Sequence, residues 1–137
     1  MALVDGRGIE VIDRAGCLEL LAGQEVGRIG IIDGGSPLVL PVNFALDGEA
    51  VVFRTGPGSK LQAARGRAAC FEIDGVDADT RSGWSVVVRG RLQEVTRFDG
   101  DLHDRIVDLA EPWIEGQRGH VVRLQPHSIS GRRIRPA

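Results

Sequence analysis

Short β-prone segments joined by tight turns constrain the fold of this chain more than any other sequence feature. Residues 26–32 and 37–46 flank Asp33-Gly34-Gly35-Ser36, and Asp47-Gly48-Glu49 leads into residues 50–55. Turns this short join antiparallel strands into hairpins. A parallel, doubly wound sheet is disfavoured because its strands would need helices between them.

Later segments extend the same pattern along the chain. Strands are predicted over residues 69–74, 84–96 and 119–124, with a short extended piece at 128–134. Helices are predicted over residues 14–22, behind the N-cap Asp13, and over 99–110. The glycines inside predicted strands, Gly27, Gly30 and Gly90, suit barrel corners and close approaches. We predict a single mainly β domain over residues 1–137, a closed or partly closed barrel with a few short flanking helices.

Composition excludes several classes of protein. Lys and Arg total 17 against 19 Asp and Glu, a formal charge of −2. The chain therefore lacks the excess of positive charge that is typical of proteins that bind nucleic acid or an anionic membrane. No apolar run approaches the roughly 20 residues of a membrane span, and the N-terminal residues lack the apolar core of a signal peptide. We therefore expect a cytoplasmic protein. Cys17 and Cys70 are predicted to be small core residues, and the spacing of the Cys and His residues predicts no metal site.

One corner of the sequence carries the chemistry of an anion site. Phe53-Arg54-Thr55-Gly56-Pro57-Gly58-Ser59-Lys60-Leu61 joins a predicted strand to a predicted short helix. The glycines allow close backbone approach, and a helix start offers free N–H groups. Thr55 and Ser59 add hydroxyls, and Arg54 and Lys60 add positive charge. This pattern suits a phosphate monoester at the end of a longer cofactor, although a purely structural turn remains the alternative.

The order of these segments resembles one known family, the pyridoxamine 5′-phosphate oxidase-like flavoproteins of the FMN-binding split-barrel fold. The branch it most resembles is formed by small actinobacterial proteins related to nitroimidazole-resistance flavoproteins. The segments that carry the resemblance are Cys17-Leu18-Glu19-Leu20-Leu21, Val26-Gly27-Arg28-Ile29-Gly30, Pro41-Val42-Asn43-Phe44, Phe53-Arg54-Thr55, Gly58-Ser59-Lys60-Leu61, Phe71-Glu72-Ile73-Asp74 and Ser82-Gly83-Trp84-Ser85-Val86.

The resemblance implies a six-stranded split β-barrel in an intertwined homodimer, with FMN in two clefts at the interface. It also implies roles for ten residues. Pro41, Val42 and Asn43 would run beside the isoalloxazine ring; Arg54, Thr55, Ser59 and Lys60 would hold the phosphate; Trp84 and Ser85 would reach the partner's flavin; and Arg132, or its neighbour Arg133, would lie near the cofactor.

The function implied is a flavin-dependent oxidoreductase acting on a small molecule, and no catalytic residue is assigned. Nitroimidazole reductases carry a His where this chain has Arg54, and the substrate-phosphate segment of the vitamin-forming enzymes is not found. We therefore expect neither of those two activities. The alternatives are a deazaflavin-dependent reductase, with a groove of Arg65, Arg67 and Arg132, a non-catalytic flavin- or haem-binding protein, and a structural dimer. Glu72 and Asp74 are expected to be solvated or paired with Arg89 or Arg91.

Overall fold

The computed structural model of the protein describes residues 3–4, 8–56, 59–109 and 120–136. Within these ranges the chain forms nine β-strands, three α-helices and one 3-10 turn. In chain order they are β1 (Leu3–Val4), β2 (Ile9–Ile12), α1 (Arg14–Ala22), β3 (Val26–Asp33), β4 (Ser36–Asn43), β5 (Ala45–Asp47), β6 (Ala50–Thr55), α2 (Lys60–Ala63), β7 (Ala68–Asp77), β8 (Ser82–Val95), the 3-10 turn (Arg97–Asp99), α3 (Asp101–Leu109) and β9 (His120–Ile134).

All strand pairs in the described sheet are antiparallel, and the main order is β1-β2-β9-β8-β7-β3-β4. The long strand β9 pairs with β8 along one edge, and with β2 and β6 along the two halves of the other edge. From β4 the chain continues into β5, which forms a hairpin with β6 and so returns to β9. This connection curls the sheet on itself, and the predicted mainly β split barrel is confirmed.

The core lies inside the curled sheet. Phe71 packs edge-to-face against Phe44 and Phe53, with ring centroids 4.7 Å and 5.7 Å away. Helix α1 covers one end of this core with Cys17 and Leu21, which are fully buried. The predicted limits of α1 are confirmed, and the Asp13 side chain accepts the Gly16 N–H at 2.8 Å as its N-cap.

The strand count exceeds the expected six partly because irregular positions divide or join the predicted segments. Residues 37–46 split at Phe44, whose N–H donates to the Glu25 carbonyl at 3.0 Å instead of continuing one strand. The described part of the predicted strand at residues 119–124 and the piece at 128–134 instead belong to a single strand, β9 (His120–Ile134). The register of β9 shifts opposite Gly90, where Pro126 takes the pairing position. A Cβ on Gly90 would lie 2.0 Å from the Gln125 carbonyl oxygen, so this irregularity requires glycine.

Two expectations about side chains are wrong. Cys17 is buried as predicted, but Cys70 lies exposed in β7. Glu72 and Asp74 pair with Arg28, at 3.3 Å and 3.4 Å, and not with Arg89 or Arg91. The reason is the sheet register, because Arg28 on β3 lies directly opposite Glu72 on β7.

Within the described ranges, no helix is long and apolar enough to cross a membrane.

Candidate functional site

A cleft of about 410 Å³ lies where β4, the end of β6 and the start of α2 meet. Its volume falls within the range of small-molecule sites. Seven of the ten predicted site residues line it. Among the described residues, the lining is Val26, Leu40, Pro41, Val42, Asn43, Arg54, Thr55, Ser59, Lys60 and Leu61.

One wall of the cleft is apolar and comes from an edge strand. β4 ends the main strand order, so no strand of the described ranges pairs with its outer backbone edge, and Pro41 is tolerated there. Leu40 and Val42 are half-buried beside it, and Leu61 is buried at the start of α2. Leu40, Leu61 and Val26 were not predicted as site residues. The two leucines could have been predicted from the sequence, because Leu40 precedes Pro41 and Leu61 follows Lys60.

The other end of the cleft is polar. Thr55, 6% exposed, donates a hydrogen bond of 2.7 Å from its hydroxyl to the hydroxyl oxygen of Ser59. The Ser59 carbonyl accepts the Ala63 N–H at 3.0 Å, and α2 then spans only Lys60–Ala63. A single turn carries little macrodipole, so anion binding here would depend on the hydroxyls and cations more than on the helix. Pro57 and Gly58 of the predicted corner lie outside the described residues.

Two cations border this polar end. Arg54 is half-buried at the end of β6, and Lys60 begins α2. The Lys60 ammonium donates to an Asp33 carboxylate oxygen at 2.9 Å. Asp33 ends β3, 27 residues away in sequence, so no local sequence pattern indicates this pair.

The remaining three predicted residues lie together elsewhere. Trp84, Ser85 and Arg132 line a second cleft of about 430 Å³ between the ends of β7, β8 and β9. Ser85 pairs with Arg132 across β8 and β9. Trp84 packs against the core, and its indole covers Gly75, where an added Cβ would lie 2.7 Å from Nε1. The sequence therefore identified residues of two clefts, not of one.

The second cleft also contains a carboxylate pair that sequence reasoning did not place there. Glu72 and Asp74 both line it, and Arg28 contacts both carboxylates. Burial raises the pKa of Glu72, and the neighbouring Asp74 raises it further, while Arg28 acts in the opposite direction. The carboxyl group of Glu72 is therefore easier to protonate than an ordinary surface glutamate.

As far as the structure describes their linings, neither cleft has the chemistry of a metal centre. In the described part of the chain, no three His, Cys, Asp or Glu side chains lie close enough together to hold a metal ion. The lining of the first cleft, as far as the structure describes it, contains no His, Cys or Met. Its donor set, two hydroxyls and two cations beside an apolar wall, fits a cofactor with a ring and a phosphate.

Known proteins match nearly the whole chain. The family model described as pyridoxamine 5′-phosphate oxidase matches residues 13–133. An uncharacterized protein of Mycobacterium tuberculosis, Rv0080, is 31% identical over 134 residues, which is 93% of this chain and 87% of the relative.

Solved structures agree with that match. The FAD-binding protein from Mycobacterium smegmatis is 30% identical, with a TM-score of 0.70 over 93% of this chain and 99% of that one. The FAD- and haem-binding protein from Mycobacterium smegmatis covers 91% of this chain and 74% of its own, with a TM-score of 0.68. Its identity of 14% indicates a common fold alone.

Proposed function

Because this chain belongs to the pyridoxamine 5′-phosphate oxidase family, we propose that it is a flavoprotein that binds FMN in the first cleft. We further propose that it acts as a flavin-dependent oxidoreductase on a small molecule. The flavin would supply the electron or hydride transfer, and the protein would bind and orient the cofactor and its substrate.

The observation that carries the proposal is the division of the first cleft into an apolar wall and a polar end. The wall of Leu40, Pro41 and Val42 suits a flat ring, and the end with Thr55, Ser59, Arg54 and Lys60 suits a phosphate. Asn43, with the backbone of Val42, would hydrogen-bond the edge of the ring. The 30% identical FAD-binding protein of Mycobacterium smegmatis supports a flavin in this fold.

The second part of the proposal is a homodimer with shared sites. Trp84, Ser85 and Arg132 line a different cleft from the phosphate corner of their own chain. A twofold-symmetric dimer would bring the first cleft of one subunit to the second cleft of its partner. Each complete site would then use both subunits, as the family resemblance implies.

The other cofactors fit the described residues less well. A deazaflavin cofactor would require a longer basic groove, and Arg65, Arg67 and Arg132 would have to lie along it. None of the three lines the first cleft as described, and Arg65 pairs with Glu94 at 3.5 Å. Haem would need an axial ligand, and the described lining contains no His, Cys or Met. FAD is the second candidate, because it keeps the ring and adds a second phosphate with a nucleoside.

The test is the chromophore of the purified protein. We expect flavin absorbance and, after release by denaturation, a chromophore with the mass and chromatographic behaviour of FMN. Added FMN should bind the apoprotein more tightly than riboflavin, since riboflavin lacks the phosphate. A colourless protein that binds neither FMN nor FAD would refute the flavoprotein assignment.

A second measurement separates an oxidoreductase from a carrier. The reduced holoprotein, mixed anaerobically with a small quinone, should reoxidise faster than the spontaneous reaction of the same concentration of free reduced FMN. A holoprotein that holds FMN but is oxidised no faster than the free cofactor, by quinones and by oxygen alike, would be a carrier.

A further inference from the structure

We propose that Asp33 is a specificity-determining residue of the phosphate corner, a built-in competitor that weakens binding of the cofactor phosphate by holding Lys60. This inference rests on the proposed function, since it concerns the same cleft. It assigns a role to a turn residue that lies outside the lining of the cleft.

The geometry that supports the inference is the ion pair between the β3–β4 turn and α2. The Asp33 carboxylate lies 2.9 Å from the Lys60 ammonium. Asp33 forms the last β3–β4 register pair, with Ser36, and the glycines between them adopt positive φ angles of 58° and 81°. Because the tight turn fixes the backbone of Asp33, the carboxylate stays beside the corner while the longer lysine side chain is free to rotate.

The energetics allow Lys60 to change partner. Its side chain is 60% exposed and that of Asp33 is 42% exposed, so water and salt screen the pair and the bond is weak. A phosphate offers Lys60 up to three strong acceptor oxygens and more negative charge than a carboxylate. Lys60 would therefore leave Asp33 when a phosphate binds. Breaking this ion pair costs free energy, which lowers the observed affinity for the phosphate.

The chain has no other lysine to take over this role. The sequence contains one lysine, at position 60. Arg54 and Lys60 are the two positive charges that line the polar end, and Asp33 offsets the charge of Lys60. Removing the Asp33 charge therefore raises the local positive charge available to an anion.

The effect depends on the charge of the ligand, which makes it selective. The terminal phosphate of FMN is a monoester that carries close to two negative charges near neutral pH. In FAD the phosphate at the same position is part of a diphosphate and carries one charge, and the second charge lies on the next phosphate, farther along the cofactor. Repulsion by Asp33 scales with that charge. Asp33 therefore disfavours FMN more than FAD, and it leaves riboflavin unaffected.

The experiment measures dissociation constants of FMN, FAD and riboflavin for the apoprotein and for Asp33→Asn, which keeps the side-chain shape. We expect FMN to bind about two- to fivefold more tightly to the variant at low salt, the range of an exposed ion pair. The gain should be smaller for FAD, near zero for riboflavin, and reduced at 1 M salt. Glu19→Gln, on the exposed face of α1, makes the same charge change and should leave all three constants unchanged.

The outcomes are distinct. A wild-type protein that binds no flavin overturns both the proposed function and this inference. A wild-type protein that binds FMN, with Asp33→Asn unchanged or weaker, overturns the inference alone and identifies Asp33 as neutral or as a support for Lys60. If Asp33→Asn also tightens riboflavin, the effect is not electrostatic and the inference is again overturned. Circular dichroism and thermal unfolding of each variant establish that it is folded.

Discussion

The Thr55 hydroxyl donates a 2.7 Å hydrogen bond to the Ser59 hydroxyl, and this bond ties the end of β6 to the residue that precedes α2. Thr55 is 6% exposed, so its hydroxyl depends on this partner more than a surface hydroxyl would. The bond therefore both closes the corner and sets the positions of two oxygens at the polar end of the cleft.

Thr55→Val keeps the shape of the side chain and removes the hydroxyl. We expect the free energy of unfolding to fall by about 1 kcal/mol, the usual value of a neutral hydrogen bond, and FMN affinity to fall as well. Ser59→Ala should have a similar effect, and the double variant should cost less than the sum of the two. Ser128→Ala, on an exposed position of β9, is the control. Strict additivity in urea denaturation would contradict a direct bond.

Lys60→Ala removes the single lysine of the chain from the phosphate corner. We expect the dissociation constant of FMN to rise about tenfold to a hundredfold, the value of a charge-assisted hydrogen bond, with riboflavin unchanged. The exposed Arg97→Ala is the control. In the wild type, FMN should protect Lys60 from an amine-reactive acylating reagent, whereas riboflavin should protect it less. Equal binding of FMN by Lys60→Ala and wild type would remove Lys60 from the site.

Shared sites predict complementation between two defective variants. Lys60→Ala disables one half-site, and Arg132→Ala disables the other, in the proposed dimer. When the two proteins are mixed and their subunits exchange, each heterodimer contains one intact site, so about a quarter of all sites should recover FMN affinity. Light scattering should first give about twice the chain mass of 14.7 kDa. A cofactor-bound monomer, or no recovery despite proven subunit exchange, would contradict a site shared between subunits.

Gly90→Ala tests the irregular pairing of β8 and β9. The new Cβ would lie 2.0 Å from the Gln125 carbonyl oxygen, a backbone atom that cannot move aside without breaking the ladder. We expect the free energy of unfolding to fall by at least about 2 kcal/mol, as overpacking does in a sheet interior. Gly23→Ala is the matched control, because its nearest neighbour would be 3.6 Å away and its φ is −88°. Equal denaturation midpoints for the two variants would show that the strands rearrange freely.

The ion pair between Asp47 and Arg105 leads us to predict that the stability of the protein depends on pH. Arg105 donates to both Asp47 oxygens, at 2.8 Å and 3.0 Å, and these bonds lower the pKa of Asp47 against the opposing effect of partial burial. A folded-state pKa below the unfolded value stabilises the protein above the unfolded pKa of about 3.9, and this contribution is lost as the pH falls through the folded pKa.

The variant Asp47→Asn should therefore be less stable than wild type by about 1–2 kcal/mol at pH 7, and the difference should shrink below about pH 4. Urea denaturation at several pH values measures it. Glu25→Gln, at an exposed carboxylate, is the control and should show little difference at any pH. A constant gap between wild type and Asp47→Asn from pH 7 to pH 3 would assign the loss to packing and not to charge.

Local sequence patterns were sufficient to predict a structural feature wherever that feature depended on residues close together in the chain. Asp13 as an N-cap and the Asp33-Gly34-Gly35-Ser36 turn were predictable because capping and tight turns act over a few residues. The corner where β6 ends and α2 begins was predictable in the same way, from residues close together in the chain. The union of residues 120–124 and 128–134 into β9 was not predictable from local patterns, since it depends on a bulge that Gly90 permits from another strand.

By itself, the sequence determined that the chain forms antiparallel hairpins in a mainly β barrel, with hydroxyls and cations at one strand-to-helix corner. Only the tertiary structure decided which distant residues meet. Register placed Arg28 opposite Glu72, and the curl of the sheet placed Asp33 beside Lys60 and separated Trp84, Ser85 and Arg132 from that corner. The physical reason is that side-chain periodicity and turn chemistry are local, whereas strand pairing is selected by the burial of the whole core.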